Sequence, residues 1–93
     1  MKLNLTIEYN SGERATYVAA PPEWVKWEAK TGKTIQQAEN MGMSDLLFLA
    51  YNAMKREAGG KPVKPFDIWV ETISDVEAES ASPKVIPSEA LAD

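Results

Sequence analysis

The chain has 93 residues, and its fourteen aspartates and glutamates outnumber its ten lysines and arginines to give a formal net charge of −4. It contains neither cysteine nor histidine, which excludes disulfides, thiolate metal sites and every catalytic arrangement that uses either side chain. A chain of this length forms one domain with a single modest core, and only carboxylates, lysines and hydroxyls remain for chemistry, so we expect a protein that is not an enzyme and holds no cofactor or metal.

The charge is unevenly distributed along the chain. Residues 75–93 contain five acids and one lysine, whereas residues 1–74 contain nine acids and nine bases. Attraction to phosphates supplies most of the affinity of non-specific nucleic-acid binding, so an acidic end on a neutral body argues against a nucleic-acid partner. The longest apolar run, residues 46–51, is far shorter than the roughly 20 residues of a membrane span. We therefore expect a soluble protein of the cytoplasm without membrane contact.

The first predicted element is a β-hairpin. Apolar and polar residues alternate from Leu3 to Tyr9 and again from Ala15 to Ala19, which is typical of half-buried strands. Between them, residues 10–13 contain a glycine and the side-chain acceptors of a tight turn. We predict a hairpin over residues 2–20, and its apolar face must pack against the rest of the chain because a lone hairpin is marginal in water.

Three helices are predicted after the hairpin. The first begins at Pro21 and Pro22 and ends at a left-handed cap on Gly32. The second is capped by Ser44 and stops at Gly59. The third covers residues 65–77, because its large apolar residues recur at helical spacing; they are Phe66, Trp69, Val70 and Ile73.

Two further segments complete the predicted architecture. An additional helical turn over residues 34–38 is the least defined element, since Gly42 interrupts the chain soon after it. Residues 78–93 are rich in alanine, serine, proline and acids without any period, which predicts a disordered acidic tail. The expected fold is therefore an α+β domain over residues 1–77, in which an N-terminal β-hairpin is packed by about three helices.

Several short motifs have ordinary explanations. The sequence at residues 32–34, Gly-Lys-Thr, matches the end of a phosphate-binding loop, but Trp27 occupies the position of the required first glycine. Asp67 and Glu71 lie four residues apart and are better explained as a solvated helix face than as a metal or acid–base pair. The only cluster of basic residues in the sequence consists of Lys55, Arg56, Lys61 and Lys64. It is explained by a helix cap and a solubilising loop, with an acidic partner still possible.

The large apolar side chains of the predicted helices are the candidate functional residues. They belong either to the core, as a small domain requires, or in part to a surface that binds a partner helix or a second copy of the chain. If Trp24 or Trp27 is core, its replacement by alanine should cost ~3–5 kcal/mol, whereas a binding residue would cost little stability. The candidates are Trp24, Trp27, Leu46, Leu49, Tyr51, Phe66 and Trp69.

Taken in order, three stretches resemble the tail assembly chaperones of long-tailed bacteriophages. They are PPEWVKWEAKTGKT at residues 21–34, MGMSDLLFLAYNAMKREAGGK at residues 41–61 and PFDIWVETISDVE at residues 65–77. The similar pattern in that family is a short sheet, a tryptophan-bearing helix with a threonine–glycine turn, a D-L-x-F-L-A-Y helix and an F-x-x-W helix. The likeness extends from Leu3 to about Ala78 and includes no catalytic signature.

The resemblance implies a protein that binds the tape measure protein, keeps it soluble and helps recruit tail tube subunits, without remaining in the virion. In this family a longer product often arises by ribosomal frameshifting, and residues 82–84 are a candidate site because Ser-Pro-Lys can be encoded by a slippery run of bases. Two alternatives remain open at this point: a structural neck or tail completion protein of the virion, and a small regulator that binds a host protein.

Overall fold

The computed structural model describes residues 2–34 and 41–80, which form a three-stranded antiparallel sheet and three helices. This arrangement confirms the predicted α+β class. The predicted helical turn beyond Thr34, the tail beyond Ser80 and the candidate frameshift site lie outside the described residues. In chain order the elements are β1 (Leu3–Tyr9), β2 (Arg14–Ala19), α1 (Pro21–Thr31), α2 (Met43–Ala58), α3 (Phe66–Glu71) and β3 (Ile73–Ser80).

Strand β1 lies at the centre of the sheet, with β2 on one side and β3 on the other. The pairing of β1 with β2 confirms the predicted hairpin, with Leu5 opposite Tyr17. In the turn, the amide of Tyr9 donates to the carbonyl of Glu13 at 2.8 Å. Gly12 has a φ of 94°, a conformation that side-chain-bearing residues rarely adopt.

The prediction of the third helix was wrong beyond its first turns. Helix α3 ends at Glu71, and residues from Ile73 onward form strand β3. Thr72 terminates the helix, with its hydroxyl donating to the carbonyl of Trp69 at 2.6 Å. The free edge of β1 provides a partner for the next segment, so tertiary pairing overrides the helical spacing of the apolar residues. The strand also continues to Ser80, three residues beyond the predicted domain boundary.

Helix α2 begins earlier than predicted. Its N-cap is Gly42 rather than Ser44, which lies exposed within the first turn. The amide of Gly42 donates to Oδ2 of Asp45 at 2.9 Å, so the acid three residues into the helix satisfies an amide that the helix itself leaves unpaired. At the other end, the helix stops at Gly59 as predicted, and Gly59 is a left-handed cap with a φ of 62°.

The helices pack on one face of the sheet. The β-strand residues on this face include Leu5, Ile7 and Ala19, each of which is fully buried. They join one hydrophobic core with the buried side chains of the three helices. The opposite face of the sheet is polar, where the hydroxyls of Thr6 and Thr16 lie 3.0 Å apart.

Candidate functional site

The sequence-predicted candidate residues lie mostly in the core. Trp24, Trp27 and Trp69 are only 3%, 1% and 3% exposed, and Leu49 and Tyr51 are also buried, whereas Leu46 and Phe66 are partly buried. In the described part of the chain, the large apolar residues in the exposed class are not among the candidates; they are Val25, Met43 and Ile68. The three tryptophans therefore belong to the core, which is the first of the two alternatives given by the sequence.

One group of aromatic side chains joins α1 to the start of α2. The rings of Trp24 and Trp27 meet edge to face with centroids 5.6 Å apart, a favourable arrangement for aromatic pairs. The indole Nε1 of Trp27 donates to Oδ1 of Asp45 at 3.0 Å. The carboxyl of Asp45 accepts hydrogen bonds from the Gly42 amide and from Trp27. The bond from Gly42 lowers its pKa most, and the bond from Trp27 and the nearby charges of Lys33 and Lys30 lower it further.

A second aromatic group joins α2, α3 and the hairpin. The ring of Tyr51 lies 5.3 Å from the centroid of Phe66 and also 5.3 Å from that of Trp69. The indole of Trp69 donates to the hydroxyl of Tyr9, which also hydrogen-bonds to Tyr17. Burial is the largest influence on the Tyr17 hydroxyl, and together with Tyr9 it raises the pKa well above its usual range. This hydroxyl stays neutral and acts as a structural link.

An ion pair between a buried carboxylate and an arginine that reaches solvent connects α1 to α2, which the sequence alone did not indicate. Glu23 is fully buried, and Arg56 donates to both of its oxygens at 2.7 and 2.8 Å. The amide of Ala20 donates to Oε1 at 2.9 Å. Burial alone raises the pKa of this carboxyl, but the bonds from Arg56 and Ala20 and the charges of Arg56 and Lys26 outweigh it and leave the pKa lowered.

The four basic residues that cluster in the sequence have different environments in the fold. Arg56 is used by Glu23, while the ammonium of Lys55 lies 5.5 Å from the centre of the Tyr51 ring. Lys61 and Lys64 lie exposed in the loop between α2 and α3. Arg56 is therefore already paired within the domain, while Lys61 and Lys64 lie open to an acidic partner.

A shallow groove lies where the end of α1, the middle of α2 and the start of α3 meet. We call it the lysine-flanked groove; its volume is about 320 Å³, and it is lined by Lys30, Phe48, Tyr51, Asn52, Lys55 and Phe66. Sequence reasoning missed Phe48 and Lys30. Part of the groove could have been found from the sequence, because four of its residues share one face of α2 at positions i, i+3, i+4 and i+7. They are Phe48, Tyr51, Asn52 and Lys55.

A larger cleft lies between the hairpin turn and the loop that precedes α3. We call it the hairpin cleft; its volume is about 640 Å³, and its lining includes Tyr9, Met54, Val63 and Trp69. Charges of both signs border this cleft, namely Glu13, Glu71 and Lys64. A partner there would meet an apolar floor with mixed charges at its rim.

Within residues 2–34 and 41–80 there is no group of three or more acidic, histidine or cysteine side chains that could hold a metal ion. Asp67 and Glu71, the pair considered from sequence, are both exposed on α3. None of the helices in the described part of the chain is long and apolar enough to cross a membrane.

Comparison with protein-family models, with curated proteins and with solved structures finds no significant match for this chain.

Proposed function

We propose that this chain is a tail assembly chaperone of a long-tailed bacteriophage. It binds the tape measure protein in the host cytoplasm, keeps it soluble, helps recruit tail tube subunits and does not remain in the virion. The observation that carries the proposal is the order and spacing of the three sequence motifs at residues 21–34, 41–61 and 65–77. The function is binding rather than catalysis.

The structural positions of these motifs support treating them as one unit. Trp27 from the first motif, Leu49 from the second and Trp69 from the third all belong to the same hydrophobic core. The resemblance therefore falls on residues that hold the domain together. It follows that these side chains do not contact the client in the folded domain, and that a client must use partly exposed surfaces such as the lysine-flanked groove and the hairpin cleft.

The motif at residues 65–77 departs from the expected helix. Only residues 66–71 are helical, and the D-V-E triplet at residues 75–77 lies in strand β3. In β3, Asp75 and Glu77 are exposed and Val76 is buried. This alternation suits an edge strand with one face on the core. The change from helix to strand leaves the proposed role unchanged, because no client contact is assigned to this triplet.

Co-expression with the tape measure protein encoded by the same genome tests the proposal. We expect the tape measure protein to be mostly insoluble when it is expressed alone, and to become soluble and co-purify with this chain when both are present. A matched control uses the same vector with a small phage protein unrelated to tail assembly. The proposal fails if the chain neither increases the soluble fraction nor co-purifies.

Mass spectrometry of purified virions separates the proposed role from a structural one. A chaperone should be missing from the particle, whereas a neck or tail completion protein should be present at a stoichiometric copy number. A regulator directed at a host protein would be missing from the virion as well, but it would not bind the tape measure protein in the co-expression experiment.

A further inference from the structure

The lysine-flanked groove combines exposed aromatic surface with charges of one sign. Phe48 and Phe66 are both partly buried, so part of each side chain remains accessible. The ammonium of Lys30 lies 4.8 Å from the centre of the Phe48 ring, and that of Lys55 lies 5.5 Å from the centre of the Tyr51 ring. Each lysine is thus held beside the apolar floor by attraction to the face of a ring.

No carboxylate lines this groove in the described part of the chain, and neither Lys30 nor Lys55 forms an ion pair there. Asp45 interacts with the charge of Lys30 and partly offsets it, but Asp45 does not line the groove. The charged side chains that do line the groove are both lysines, so the groove favours an acidic ligand over a neutral one.

We propose that this groove binds an acidic amphipathic segment of the tape measure protein. The segment places one or two large apolar side chains against Phe48 and Phe66 and its carboxylates against Lys30 and Lys55. This inference rests on the proposed chaperone function, and it adds the binding surface and the chemistry of the client segment.

The size and charge of the groove favour this occupant. A volume of about 320 Å³ is at the lower end of the range for pockets that enclose ligands, which fits a few side chains of a client better than a whole small molecule. An amphipathic helix presents an apolar stripe to a groove, and acids beside that stripe would lie opposite Lys30 and Lys55. The hairpin cleft is larger, but its acids and lysine do not select for one sign of charge.

Binding of synthetic peptides tests the proposal. Overlapping fluorescent peptides that cover the tape measure protein are titrated with the full chain, with a Lys30→Glu/Lys55→Glu variant and with a Lys61→Glu/Lys64→Glu variant. The second variant makes the same change in net charge at the loop beside the hairpin cleft. All four lysines are exposed, so both variants should fold. Because Lys30 and Lys55 contact aromatic rings, the unfolding midpoint of each variant is measured and binding is compared at a temperature where both are folded, so that the comparison isolates position from net charge.

We expect the bound peptides to carry acids beside large apolar residues. For these peptides the Lys30→Glu/Lys55→Glu variant should weaken binding by about ten-fold or more, while the Lys61→Glu/Lys64→Glu variant should weaken it much less. Replacing the peptide acids by amides should have an effect similar to that of the first variant. Equal losses in the two variants, or no loss in either, would rule out this groove as the binding site without contradicting the chaperone function. Absence of binding to any peptide and to the intact tape measure protein would overturn both.

Discussion

At the scale of single residues, the two tryptophans of α1 differ in one respect that can be measured. Trp27 donates its indole N–H to Asp45, whereas the buried Nε1 of Trp24 has no acceptor among the described residues. Trp27→Phe and Trp24→Phe remove the same atoms from similarly buried positions. Because a hydrogen bond to a charged group contributes about 1.5–3 kcal/mol and Trp24 makes no such bond, Trp27→Phe should destabilise the chain by about that much more than Trp24→Phe.

Urea denaturation of both variants checks this difference. The free energy of unfolding and its dependence on urea should be obtained for each, since equal slopes show that the same surface is exposed on unfolding. Equal losses in the two variants would mean that the bond to Asp45 does not contribute measurably, and that only the packing of the rings holds α1 in place.

The ion pair of Arg56 with the buried carboxyl of Glu23 predicts a specific dependence of stability on pH. Burial raises the pKa of Glu23, and the bonds and charges from Arg56, Ala20 and Lys26 lower it below its ordinary value. A lowered pKa stabilises the fold above the unfolded-state value of about 4.3, and this stabilisation is lost as the pH falls through the folded-state pKa. Without Arg56, the pKa of Glu23 should rise.

We therefore expect Arg56→Met to destabilise the chain most at neutral pH. The difference from the original chain should shrink as the pH falls, first through the raised pKa of Glu23 in the folded variant and then through its lowered pKa in the folded original chain. Unfolding free energies measured between pH 7 and pH 3 check this. Arg14→Met is the matched control, because Arg14 and Glu77 form an exposed pair at 3.8 Å. It should change stability by less than about 1 kcal/mol at any pH. A pH-independent loss in Arg56→Met would contradict the charge-based explanation.

At the scale of elements, the start of α2 shows how the cap expected from the sequence differs from the one in the fold. Ser44 was expected to cap this helix, but Asp45 holds the amide of Gly42 and also accepts from Trp27. Asp45→Ala should therefore cost about 1–3 kcal/mol of unfolding free energy, whereas Ser44→Ala should change it by less than about 0.5 kcal/mol. Thermal and urea unfolding of both variants measure these costs. A larger cost for Ser44→Ala than for Asp45→Ala would support Ser44 as the N-cap, as predicted from the sequence.

The elements that could be predicted are those with local signals. The local signals are the alternation in β1 and β2, the two prolines that open α1, the left-handed cap at Gly32 and the glycine at which α2 stops. All of them depend on neighbouring residues. Strand β3 could not be predicted in this way, because its partner β1 lies about seventy residues earlier in the chain. The apolar spacing from Phe66 to Ile73 fits a helix equally well until that pairing is known.

The candidate site was predictable only in part for the same reason. The large apolar residues were identified, but whether each is buried depends on how three helices meet. The lysine-flanked groove brings Lys30 of α1 together with Phe66 at the start of α3, and the pair of Glu23 and Arg56 joins positions 33 residues apart. Contacts between distant elements give no periodic pattern in the sequence, so neither the groove nor the ion pair could be deduced from spacing alone.

At the scale of the whole molecule, β1 connects the beginning of the described chain to its end. Leu3, Asn4 and Leu5 pair with Ala19, Val18 and Tyr17 on one side and with Ser80, Glu79 and Ala78 on the other. The sequence alone placed the end of the domain at residue 77. The structure instead makes residues 78–80 part of the sheet, so the stability of the whole domain should depend on them.

Two shortened chains test this dependence directly, one comprising residues 1–80 and the other residues 1–77. The shorter chain loses the partners of Leu3, Asn4 and Leu5, and since each ladder hydrogen bond contributes roughly 0.5–1.5 kcal/mol net, it should be less stable by about 1–3 kcal/mol. Urea denaturation measures the difference, and amide exchange at residues 3–5 should accelerate in the shorter chain because those strand ends are no longer held from both sides. Equal stability of the two chains would contradict the register, and would return the domain boundary to residue 77.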